Sequence, residues 1–366
     1  MLQTRGSFRR ESPGRGAGRV GAYQLKRNVT GTIAQTLLRA LAGHRIRFAI
    51  SAAVVAAAAF LLYRLLHDVD VAKVIAALRA QPARKILGSG VFVVAGYATL
   101  TFYDVFALRM IGRHVVPFRV AAFASFTSFT IGHSLGAATL TSGLVRLRVY
   151  SVWGLGVRDV AKIAFLTGMT FCLGAAFVLG SAMCYAPDAA GVVDHLPAWI
   201  NRAIGLSSLL TIAGYLTWLA PRRRAIGRAD WKIVLPGLRL TLLQIGIGAT
   251  DLAFVTLAMS ALLPSAPAVD FSTVLVIFLI ATLLGSISHA PGSLGVLEAA
   301  VLIGLPQFQK EELLAALLTF RVLYFVIPVI LATLALGLQE LRMMARRAAE
   351  SGDDSGRNLV RRSGPR

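Results

Sequence analysis

Acidic residues are scarce in this chain: 17 Asp and Glu stand against 38 Lys and Arg in 366 residues. All charged residues together make up only 15%, where a soluble domain carries roughly 25%. That shortage excludes a soluble globular enzyme, because most of the surface would be apolar. It also excludes a nucleic-acid binder, which needs its basic charge displayed on a water-soluble body. Cysteine is nearly absent. Cys172 and Cys184 lie twelve residues apart in one apolar segment, about 120° apart around a helix, so neither a disulfide nor a metal site is expected. No Walker A motif, G-x-S-x-G elbow or HExxH occurs, so neither an ATP-driven pump nor a serine or zinc hydrolase is indicated, and no cofactor is expected.

Hydrophobic residues are abundant, at 56%, with a mean hydropathy of +0.68. A transmembrane helix needs about 20 apolar residues. Phe48–Leu66, Ile86–Ile111, Val160–Ala186, Ala203–Ala220, Leu238–Leu263 and Glu311–Leu338 satisfy this. Val120–Gly143 and Phe271–Leu305 are apolar but broken, the first by GHSLGAATLTSG from Gly132 and the second by GSISHAPGSLG from Gly285. His133 and His289, 156 residues apart, mark a weak internal repeat. The expected fold is an all-α polytopic membrane protein with about six full spans and two re-entrant broken hairpins.

Positive charge decides between topologies. If all eight stretches cross once, the cytoplasmic side holds 21 Lys and Arg and the outside 16. If the two broken stretches enter and return on one side, the count becomes 30 against 7. The second arrangement makes residues 48–186 and 203–340 inverted halves, with both termini in the cytoplasm. Inverted repeats with broken helices are how many transporters build a mid-membrane site. Residues 1–47 carry ten Lys and Arg and form a basic, disordered cytoplasmic tail; residues 341–366 form a second basic tail. The stretch DVDVAKVIAALRAQPARK reads as an interfacial amphipathic helix, and RRRAIGRADWKIVLPG as a similar one with Trp231 at the headgroup level.

Charges at membrane depth are costly and mark sites or structural pairs. Asp104, Asp251, Glu298 and Arg321 are such residues, and Arg146 follows the first break. Asp104 and Asp251 each read as a cation contact or as the counter-ion of an arginine. Arg321, ten residues into an apolar helix, reads as a phosphate-binding fork or as the partner of Asp104, Asp251 or Glu298. Arg109, near a helix end, snorkels. Pro328 frees the carbonyl of residue 324. The glycines of both breaks allow close approach of backbone amides to an anion, or tight helix packing.

These residues resemble the membrane half of the lysylphosphatidylglycerol synthase/flippase family. The resemblance rests on Gly143, Arg146 and Tyr150 after the first break; on Pro291, Gly292, Gly295 and Glu298 after the second; on Arg321, Tyr324 and Pro328; and on Tyr103–Asp104. It covers about residues 48–340. It implies an inner-membrane protein that moves a polar phospholipid, such as an aminoacyl-phosphatidylglycerol, between leaflets. The soluble aminoacyl-transferase domain of bifunctional relatives is not expected here. Under this resemblance Arg146 and Arg321 hold the lipid phosphate, assisted by the Gly132–Gly136 and Gly292–Gly295 amides. Tyr150 and Tyr324 accompany the arginines, His133 and His289 flank the breaks, and Asp104, Asp251 and Glu298 balance the arginines or meet a cationic headgroup. Two rivals stay open: a membrane-embedded lipid transferase, and a non-catalytic partner of a lipid-synthesis system such as a hopanoid pathway. The partners expected are membrane lipids, a separately encoded lipid-modifying enzyme and a second copy of the chain, with no nucleic acid.

Overall fold

The computed structural model describes residues 70–135, 138–220, 224–227, 233–288 and 291–342. The basic tail 1–47, the first apolar run Phe48–Leu66, residues 343–366, Gly136, Trp231 and His289 lie outside the described residues.

The regular structure of the described chain is helical, apart from one two-stranded ribbon. In order, α1 spans Val71–Ala80, α2 Ala83–Met110, α3 Phe118–Leu135, α4 Ala138–Ser151, α5 Val157–Tyr185, α6 Pro187–Asp194 and α7 Ala198–Leu219. After the ribbon come α8 at Leu238–Leu262, α9 at Phe271–Ser288, α10 at Val296–Gly304 and α11 at Lys310–Arg342. Asp70 caps α1, its Oδ1 accepting the Ala72 amide at 2.8 Å. Val74 and Leu78 of α1 pack inward while Val71 and Ile75 stay exposed, which fits the amphipathic helix expected there. The second such helix is not formed. Its described parts pair instead as antiparallel strands, β1 (Ala225–Ile226) and β2 (Ile233–Val234). Gly227, at φ 110°, breaks any helix there, and β-branched Ile226, Ile233 and Val234 suit the ribbon.

Among the described residues, five helices are long and apolar enough to cross a membrane: α2, α5, α8, α9 and α11. Two of these assignments differ from the sequence expectation. Phe271–Ser288, one arm of a broken stretch, qualifies by itself, because its 18 residues reach about 27 Å at 1.5 Å per residue. Helix α7 forms but does not qualify, since Arg202, Ser207, Ser208 and Thr211 dilute its hydropathy.

The bundle is apolar outside, and its largely apolar interior also buries a set of polar side chains. Val91, Val94, Leu210, Leu243 and Leu334 are exposed, a surface that water would not tolerate. Ser125, Thr127, Ser128 and Thr130 of α3 are fully buried, and the Ser125 hydroxyl donates to the Leu100 carbonyl at 2.7 Å.

Helices α2 and α8 form the centre and run antiparallel. Lys85 at the start of α2 donates to the Leu263 carbonyl, Gly96 lies against Val255, and Tyr103 meets Asp251. Helix α5 crosses α8 at Gly174 and Gly248. A Cβ on Gly174 would lie 2.6 Å from the Gly248 backbone, so the crossing needs glycine on both helices. Helices α3 and α4 lie against each other, and α9 and α10 do the same across the second break. At that second break Gly292, Ser293 and Gly295 adopt left-handed conformations, φ 57°, 53° and 79°. Ser293 then folds onto α9, where a Cβ on Gly285 would lie 2.3 Å from its hydroxyl oxygen.

Candidate functional site

The site begins with two consecutive residues of α2. Neighbours on a helix point about 100° apart, so Tyr103 and Asp104 face different helices. Asp104 is fully buried and turns to α4. There Arg146 and Tyr150, one helical turn apart, share a face. The Arg146 Nη2 donates to Asp104 Oδ1 at 2.8 Å, its Nε lies 3.1–3.2 Å from both carboxylate oxygens, and the Tyr150 hydroxyl donates to Oδ2 at 2.8 Å. The guanidinium also stacks 4.6 Å over the Phe129 ring of α3. This group therefore ties α2, α3 and α4 together through one satisfied charge pair.

Tyr103 turns the other way, to α8. Its hydroxyl donates to Asp251 Oδ2 at 3.1 Å. The other oxygen, Oδ1, is buried and has no hydrogen-bond partner among the described residues. Of the two aspartates that read alike in sequence, one is neutralised by an arginine and the other is held by a single hydroxyl.

The second break carries its own pair. Arg321 of α11 bonds Glu298 of α10 through Nε, and donates to the Gly292 carbonyl at 2.9 Å and the Ser293 carbonyl at 3.4 Å. The second oxygen of Glu298 accepts the Gly295 amide at 2.8 Å, closing the first turn of α10. Arg321 thus fastens the left-handed turn in place. Directly after Arg321, α11 relaxes into a π-turn at Val322–Val326. Pro328 cannot donate to the carbonyl of Tyr324, and the hydroxyl of Tyr97 takes that role at 2.9 Å. The Tyr324 ring stacks on Phe320 with centroids 5.2 Å apart.

A cavity of about 320 Å³ lies between these groups. Its size falls within the roughly 300–1,000 Å³ of small-molecule sites. Of the residues singled out from sequence, Gly132, His133, Arg146, Asp251 and Tyr324 line it. Asp104 and Tyr150 stand behind Arg146. Arg321, Glu298, Gly292 and Gly295 stand outside its lining and hold the adjoining turn. Pro291 opens that turn. The cavity also takes in Tyr103, Phe129, Ser142, Thr167, Thr282, Ser286 and Ser293, which sequence reasoning did not assign to a site, although Tyr103 was visible as the neighbour of Asp104. Cys172 and Cys184 are free thiols on α5. Among the described residues no three His, Cys, Asp or Glu side chains stand close enough to hold a metal.

Long apolar helices, an apolar exterior and a buried polar cavity define a polytopic α-helical membrane protein. Its relatives specify it further. An uncharacterized protein of Synechocystis sp. is 30% identical over 292 residues, covering 79% of this chain and 90% of its own. The inner membrane protein YbhN of Escherichia coli K12 is 30% identical over 263 residues, covering 70% of this chain and 80% of its own. A phosphatidylglycerol lysyltransferase of Staphylococcus haemolyticus is 40% identical over 84 residues, covering 22% of this chain and 10% of the enzyme. No family model matches the chain. The chain belongs to the lysylphosphatidylglycerol synthase flippase-like family and is a multi-pass inner-membrane protein.

Proposed function

We propose that the protein moves a polar phospholipid between the two leaflets. The observation that carries this reading is the cavity itself. It sits between the two broken helical units, presents the buried guanidinium of Arg146 and the carboxylate of Asp251, and is walled otherwise by aromatic and apolar side chains interleaved with Ser and Thr hydroxyls and His133. A phosphate would meet Arg146, and the acyl chains would remain in the apolar surroundings. Arg321 acts here as a positioning residue, because it stands outside the cavity lining and binds Glu298 and the turn at Gly292–Ser293.

The inverted, re-entrant topology belongs to the same proposal. Three observations support it: two helix–break–helix units each folded on itself, antiparallel α2 and α8 at corresponding places in the two halves, and the 30-to-7 distribution of positive charge. Single cysteines placed at 151–156 should then be labelled from the cytoplasm alone. Labelling from outside would remove the re-entrant arrangement.

The translocation test uses purified protein in liposomes carrying a fluorescent phospholipid quenched from outside. Quenching well beyond half the signal is expected for the wild type. Gly168 lines the cavity, and a Cβ there meets nothing within 4 Å. Gly168→Phe should therefore fill the cavity of a folded protein and return quenching to half, while Gly168→Ala retains movement. A plateau at half for wild type with every lipid tried would overturn the reading. Chemical turnover of a lipid extract would then point to a transferase, and a stable co-purifying enzyme to a scaffold.

A further inference from the structure

We propose that Asp251 is a proton-binding carboxyl of the cavity, taking up a proton when the cavity is closed and dry and releasing it when water or a polar headgroup fills the space. The site is built by geometry. Asp251 sits midway along α8, is buried, lines the cavity and has one carboxylate oxygen bound by the Tyr103 hydroxyl. Its second oxygen has no partner among the described residues. An ionised carboxylate left this way in a low-dielectric interior is unstable, and a bound proton removes that instability.

The groups around Asp251 supply no opposite charge to hold it ionised. From α2, Tyr103 donates to it, while the Tyr97 hydroxyl is committed to the Tyr324 carbonyl and Asp104 to Arg146. From α11, Tyr324 approaches, while Arg321 is committed to Glu298. Helix α9 has no charged residue between Phe271 and Ser288. On α5, the charged residues Arg158, Asp159 and Lys162 lie in its first turns, and Cys172 is its one titratable group near mid-helix. On α7, Tyr215 turns to Met169 and Arg202 is exposed. Across the cavity stand His133 and the paired Arg146. Arg146 and Arg321 each already have a carboxylate, and Asp251 is the acid that lines the cavity without a basic partner among the described residues.

Emptying and filling the cavity changes the surroundings of this one oxygen, which links proton binding to occupancy. The link to lipid movement rests on the translocation reading, whereas proton binding itself does not. Two arms therefore test it. The first is pH-difference infrared spectroscopy of the purified full chain in detergent. A protonated-carboxyl C=O band that titrates and disappears in Asp251→Asn is expected, and Tyr103→Phe should shift the frequency of that band. No such band, or one unchanged in both variants, overturns the proposal. The second arm imposes a pH gradient on the liposomes. Wild-type lipid movement should change by up to roughly tenfold per unit of gradient, the ratio of proton activities, and Asp251→Asn should be indifferent to it. Movement indifferent to the gradient, or set by sodium instead, overturns the coupling. Absence of any lipid movement in wild type defeats the translocation reading, and the infrared arm then decides proton binding alone.

Discussion

Removing the carboxylate of Asp104 should leave Arg146 as a buried, uncompensated cation. Arg146 is 2% exposed and Asp104 fully buried, and three donors converge on that carboxylate: Nε and Nη2 of Arg146 and the Tyr150 hydroxyl. Two independent routes give the magnitude. Breaking a buried pair by deleting one partner costs about 3–5 kcal/mol. Placing an unpaired charge at the centre of a membrane helix costs about 2.5–3.5 kcal/mol on insertion scales. Asp104→Ala should thus lower the folded-to-unfolded ratio by roughly two to three and a half powers of ten. Replacing the whole group by apolar residues of similar size, Asp104→Leu with Arg146→Met and Tyr150→Phe, should recover most of that loss, because no buried polar group is left stranded. The assay is denaturant unfolding of purified protein in detergent, followed by size-exclusion homogeneity. A single variant as stable as wild type, or a triple variant less stable than the single one, would refute the reasoning. The same triple variant should fail to move lipid although folded, since the cavity has lost its cation.

Tyr97→Phe leaves the Tyr324 carbonyl without its donor and should cost about 1–3 kcal/mol in the same unfolding experiment. Gly174→Val should prevent the α5–α8 crossing, and the checkable outcome is loss of a monodisperse peak on gel filtration. Glu298→Gln should loosen the turn at Gly292–Ser293, read as faster protease or cysteine-label access there, with the rest of the chain unchanged. Removing the exposed Arg148–Glu340 pair should leave stability unmoved within error, because solvent and salt screen it.

Much of this arrangement was legible in the residues. Charges inside apolar helices stand out because each is so costly there, so Asp104, Arg146, Asp251, Glu298 and Arg321 are visible before any coordinates. Their pairing is not visible. Arg321 had three acids to choose from, and the choice of Glu298 follows from the left-handed turn that carries α10 beside α11, a long-range contact that no local pattern encodes. Cavity walls built from Ser and Thr escape notice for another reason. In a helix these hydroxyls satisfy themselves on the carbonyl four residues back, as Thr282 does on Phe278 and Ser286 on Thr282, so they sit in an apolar run without advertising a site. The ribbon at Ala225–Val234 was missed because two strands of two residues give no alternation to read.

The two buried aspartates are not interchangeable. Asp104 lies toward the end of α2 and Asp251 midway along α8, and in sequence each reads as an acid inside an apolar helix. In the structure one receives an arginine and a tyrosine from α4, whereas α10, only nine residues long, offers Asp251 no such partner; its glutamate serves Arg321 and its own first turn. A symmetric protein would have buried two neutral pairs or two free acids. This one buries a neutral pair at Asp104 and a free oxygen at Asp251, both adjoining the same cavity. An imbalance of that kind is unfavourable for stability alone, and its position against a cavity of about 320 Å³ is where a change of occupant would alter it most.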